Sequence, residues 1–132
     1  MNKNILCLIV LVSAFVFSCK KYDEGPLISI ASKETRVANV WKVTKAINLN
    51  GTDTTNAFYL HKWEFTNKFS VIFQINQQKY FGRWQFTQGK SNLEIVYDSL
   101  PTQTYLIKRL KEKEMILTNR ANDVTINFAP VN

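Results

Sequence analysis

Nucleophilic, acid–base and metal chemistry all draw on a short list of side chains, and this sequence supplies few of them. It holds one histidine, His61, and two cysteines, Cys7 and Cys19. No Ser-His-acid set, glycine-rich phosphate loop or metal-ligand spacing surrounds them. His61 shares a two-residue period with Tyr59, Trp63 and Phe65. An imidazole among rings is the setting of a hydrogen-bonded core residue more than of a general base. The carboxylates are dispersed, and Glu64 and Glu94 fall on polar positions, so no pair for glycoside hydrolysis emerges. The expectation is a chain with no catalytic residue, metal site or cofactor.

Binding is better supplied. Nine Phe, five Tyr and three Trp give a large aromatic stock for a 132-residue chain. Tyr59, His61, Trp63, Phe73, Tyr80, Trp84, Tyr97 and Tyr105 all fall on the apolar phase of alternating segments. Buried phenols want hydrogen-bond partners, so the tyrosines suit a pocket of mixed polarity. Rings that merely fill a core are the competing reading. Gly82, inside one segment, marks a bend or a point where a ligand or the Trp41 ring packs close.

Those side chains need strands to position them. Ser32 and Glu34 suit the start of a short helix over 33–39. From Trp41 the period becomes two, with Trp41, Val43, Ile47 and Leu49 on one face, Ala46 on the other and Lys45 out of phase on the apolar one. Further alternating runs cover 59–65, 69–75, 80–86, 93–97, 105–110, 114–118 and 124–128, separated by short turns. Eight strands without a helix long enough to cross between parallel neighbours must pair antiparallel and in sequence. Closing the sheet removes its edges. The predicted fold is therefore all-β: an eight-stranded antiparallel up-and-down barrel with a short N-terminal helix. A β-sandwich would need longer crossing connections.

The segment ahead of the barrel reads differently. Lys3 precedes the apolar run Ile5–Phe17, which is shorter than the about 20 residues a membrane-crossing helix needs. A basic start and an apolar stretch ending at a small residue, Ser18, are those of a secretory signal. Three segments are expected: 1–18 as signal peptide, 19–31 as tether and 32–132 as barrel domain. Cleavage before Cys19 leaves one cysteine and no internal disulfide. The net charge of +7 is scattered, its one cluster (Lys108, Arg109, Lys111, Lys113) interleaved with Glu112 and Glu114. That pattern excludes a nucleic-acid groove and leaves a mild attraction to anionic glycans or lipid head groups. A monomer is expected.

"VFSCKK" resembles the lipobox of bacterial lipoproteins, with Ser18 before the cysteine and Val16 and Phe17 departing from the commonest form. The resemblance implies that Cys19 is acylated and anchors the chain to the outer membrane, on its periplasmic face or at the cell surface. Two or more acyl chains hold stably where one holds marginally. "KKYDE" resembles, with Tyr22 interrupting, the export signal of Bacteroidetes surface lipoproteins. Across residues 22–130, "RVANVWK", "KWEFTNKFSV", "YFGRWQF" and "YLIKRLKEKEMIL" look like the lipocalin-like domains of small Bacteroidetes lipoproteins. That resemblance implies a lipocalin-like barrel, and the aromatic interior makes a small apolar or amphipathic molecule its expected ligand. The alternative is a non-enzymatic surface module with a filled core, interacting with protein or glycan through its outside. Asp53-Thr54-Thr55 and Asp98-Ser99-Leu100 resemble Bacteroidetes O-glycosylation sites, which makes Thr54 and Ser99 the candidate acceptors.

Overall fold

The computed structural model describes residues 31–132. The predicted signal peptide, Cys19 and nearly all of the tether lie outside them. The first element is a short helix, α1, Lys33–Val37. Ser32 caps it, its hydroxyl accepting from the Thr35 amide at 3.2 Å. Glu34 in the first turn and Arg36 in the last complement the helix dipole. Five residues cannot hold a helix alone. Tertiary contacts do: Val37 is fully buried, and the Arg36 guanidinium donates to the Leu110 carbonyl at 2.8 Å.

Eight strands follow: β1 Val40–Ile47, β2 His61–Phe65, β3 Ser70–Ile75, β4 Gln78–Thr87, β5 Asn92–Tyr97, β6 Gln103–Leu110, β7 Met115–Asn119 and β8 Thr125–Pro130. Each pairs antiparallel with the next, and β8 returns to β1 to close the barrel. This is the predicted up-and-down barrel and helix. Alternation sets the inside: Trp63 and Phe65 on β2, Val71 and Phe73 on β3, and Leu93, Ile95 and Tyr97 on β5 are all buried.

Two register breaks correct the phase read from sequence. β1 shifts between Val43 and Lys45, so Thr44 and Lys45 both point outward. Beyond this bulge Ala46 is the buried residue, Ile47 is half-buried and Leu49, in the turn after the strand, is exposed. Lys45 thus lies outside, and its mismatch with the apolar phase marks the bulge. β6 breaks likewise between Ile107 and Arg109, turning Lys108 and Arg109 outward and bringing Leu110 in. Such an extra residue bends the strand and raises its twist.

Gly82 sits between Val71 on β3 and Tyr97 on β5. A Cβ there would lie 2.5 Å from the Val96 carbonyl oxygen and 2.9 Å from the Tyr97 Cα. The close neighbour is the β5 backbone, not the Trp41 ring or a ligand. At the β2–β3 turn Phe69 takes φ 64, and its ring is partly exposed against Trp84 instead of buried.

The barrel ends differ. α1 and the β2–β3, β4–β5 and β6–β7 turns gather at one end. There the Trp41 indole donates to the Val37 carbonyl at 2.9 Å, and Trp84 donates to the Thr66 carbonyl at 3.0 Å. Trp41, Trp84, Leu93 and Met115 fill this closed half and are at most 1% exposed. A 3-10 turn, Thr55–Phe58, and the β3–β4, β5–β6 and β7–β8 connections form the opposite end, the barrel mouth.

Candidate functional site

The mouth end collects most of the aromatic residues singled out from sequence. Register lines up Trp63, Phe73 and Tyr80 across β2, β3 and β4. Trp63 and Phe73 stack with centroids 4.5 Å apart, and Phe73 lies 6.0 Å from both Tyr80 and Tyr97. His61, at the mouth end of β2, is ringed edge-on by Phe58 at 5.2 Å, Phe73 at 5.2 Å and Trp63 at 5.6 Å. Toward the centre these rings pack on one another, with Trp63 and Phe73 stacked and Phe128 edge-on to Trp63 at 5.2 Å.

Polar groups are set among the rings. The Trp63 indole donates to the Tyr97 hydroxyl at 3.4 Å, and the Tyr97 proton has no acceptor among the described residues. His61 Nδ1 is buried and unpartnered there. Tyr105 pairs across the ladder with Asn119, whose amide donates to Gln103 Oε1 at 3.1 Å. Burial holds the His61 imidazolium below the ordinary histidine value, so the ring is neutral at pH 7. Burial, with Tyr105 alongside, pushes the Tyr97 phenol well up against the opposing Trp63 hydrogen bond. Burial raises Tyr105 to about 12, with the Asn119 hydrogen bond opposing. Both phenols therefore stay protonated. None of these mouth residues carries a charge at neutral pH, so the site can hydrogen-bond a neutral ligand and has no counter-ion for a charged one.

Two predicted site residues fall elsewhere. Tyr59 is 83% exposed and precedes β2. The chain curls into the 3-10 turn over 55–58 and Tyr59 itself takes a helical backbone, so strand alternation starts only at His61; Phe58 fills the place expected for Tyr59. Trp84 belongs to the closed half, away from the mouth. Gln103 and Asn119 escaped the sequence reading because they border turns. Their signal was the phase: Met115, Leu117 and Asn119 share one, and all three are buried. Thr54 is half-buried beside β1, its hydroxyl donating to the Ala46 carbonyl at 3.4 Å, whereas Ser99 is exposed between β5 and β6. Among the described residues no three His, Cys, Asp or Glu side chains come together as metal ligands.

No family model matches the chain. No curated protein matches it either. Among solved structures it is similar to a lipocalin-like protein from Bacteroides uniformis, with a TM-score of 0.61 and 13% identity over 73% of this chain and 99% of the other. A DUF4847 family protein from Bacteroides vulgatus gives a TM-score of 0.56 and 13% identity over 74% of this chain and 95% of the other. At that identity the likeness is one of fold: the barrel is lipocalin-like.

Proposed function

We propose that the chain is a non-catalytic cell-envelope lipoprotein, anchored through acylated Cys19, whose barrel takes a small neutral amphipathic molecule at its mouth end. The observation that carries this reading is the unpartnered His61 Nδ1, buried among the rings of Phe58, Trp63 and Phe73, together with the Tyr97 hydroxyl, which accepts from Trp63 and donates to nothing among the described residues. Buried polar groups without partners are costly, and a ligand that supplies the missing hydrogen bonds recovers that cost. Lipocalin-like barrels of eight strands are wide enough to hold one small ligand. The ligand expected is an apolar ring bearing a hydroxyl, which donates to or accepts from Nδ1 and accepts from Tyr97.

Titration of tryptophan fluorescence with 1-naphthol, against the anion 1-naphthoate, tests this. Naphthol should quench saturably, and His61→Ala should weaken it about tenfold, the worth of roughly one buried hydrogen bond. Equal binding of naphthoate would remove the neutral-ligand reading. Binding of neither compound, with no small molecule co-purifying in native mass spectrometry, would leave a filled barrel. The mutual packing of the interior rings favours that second reading, a surface module working through its outer face.

A further inference from the structure

The outer face of the barrel holds a groove of about 440 Å³, within the size range of small-molecule sites. Its floor is the β7–β8 hairpin. Thr118 faces Thr125 across the ladder with their hydroxyls 2.9 Å apart, and Asn127 follows on the same side of β8. Its walls are the flanking strands, β6 and β1. Both are bulged at this level, and at each bulge a lysine turns outward into the groove: Lys108 on β6 and Lys45 on β1. Bulges re-aim side chains and are over-represented beside binding sites.

Four adjacent strands at ~4.8 Å spacing put the two walls roughly 14 Å apart at the backbone, so both lysines reach one ring-sized ligand between them. Both are exposed, and neither makes an ion pair among the described residues, whereas Arg109 next to Lys108 is held by Glu114 at 3.2 Å. Two carboxylates lie close. Asp123 lines one end of the groove, and Asp53, near Lys45, is occupied by the Thr55 amide and hydroxyl. Leu49, 76% exposed, and Ile47 give an apolar rim.

We propose that this groove binds an acidic saccharide, a polyhydroxylated ring carrying a carboxylate. The lysines of the two walls meet the carboxylate. The floor hydroxyls and the Asn127 amide pair with ring hydroxyls, Asp123 accepts from another, and the apolar rim covers the C–H face. No aromatic ring lines the groove, so it lacks the stacking surface that bases of single-stranded nucleic acid use. The site shares no residue with the barrel mouth and does not depend on what the mouth binds.

Affinity electrophoresis of the full-length chain in detergent, through gels containing polygalacturonate or its methyl ester, tests the proposal. The acidic polymer should retard the protein and the neutral ester should not. Lys45→Gln/Lys108→Gln should weaken retardation about tenfold, the sum of two exposed charge contacts. Lys79→Gln/Lys111→Gln, with the same loss of charge away from the groove, should change it less than about twofold. Unchanged circular dichroism confirms that these surface variants fold. Equal loss in both pairs would reduce the effect to net charge and overturn the site. So would retardation by the ester as strong as by the acid, or no retardation in either gel.

Discussion

At His61 chemistry and packing pull against each other. Its ring is surrounded edge-on by Phe58, Trp63 and Phe73, yet Nδ1 is buried without a partner. A phenylalanine of similar size keeps the edge contacts and removes the orphaned nitrogen. His61→Phe should therefore raise stability by about 1 kcal/mol, the lower range for an unsatisfied buried group, and should weaken naphthol binding at the same time. Urea titration checks the first and fluorescence the second; a loss of stability would mean that the imidazole already has a partner. The acid limb should change too. Burial lowers the folded-state pKa of His61 below its unfolded value of 6.5. The neutral ring's contribution is fully present above that value and is lost as pH falls through the folded pKa. Stability should therefore decline below about pH 6.5 in the parent and decline less in His61→Phe. His61 was legible from sequence as an inward residue because strand alternation holds from it to Phe65. Tyr59 was not, because a 3-10 turn just ahead of the strand breaks a phase that sequence period alone continues.

Strands were legible wherever apolar and polar residues alternate without interruption, as in β3 and β4, where turn residues fix both ends. The bulges were harder. In β1 the signal was one misplaced lysine, and its meaning lies in the partner strand: only the pairing with β8 shows that Thr44 and Lys45 together oppose a single step. In β6 both bulge residues are basic, so the sequence reads as an ordinary charged strand end. Gly82 gives the sharpest test at this scale. Its strand runs between β3 and β5, and the β5 backbone approaches so closely that a methyl group meets the Val96 carbonyl oxygen at 2.5 Å. Strand backbone cannot yield as a flexible side chain would. Gly82→Ala should destabilise by about 3 kcal/mol, at the upper end for overpacking, despite adding one carbon. Chemical denaturation measures this; a loss under about 1 kcal/mol would mean that β4 and β5 slide apart at little cost.

At the scale of the molecule, the chain enters the barrel at its closed end. There α1 buries Val37 and ties Arg36 to the end of β6. The mouth with His61, Tyr97 and Tyr105 is at the opposite end, built from the far ends of the same strands. The two ends of the barrel are thus distinct, one packed by α1 and the other holding the unpartnered His61 nitrogen. The proposed anchor is expected to be separable from the fold. The described core is supplied entirely by residues from Val37 to Phe128, and it uses no cysteine. Cys19→Ser removes the only thiol expected to carry acyl chains and changes none of those core residues. The variant should show the same denaturation midpoint as a chain cut free after residue 19, and should leave the membrane pellet for the soluble fraction. Two acyl chains hold a protein to a bilayer far more strongly than scattered basic residues do, so washing the parent with high salt should not release it. Release of the parent by salt alone would make the attachment electrostatic, and Cys19→Ser remaining with the membrane in low salt would assign the anchor to some other part of the chain.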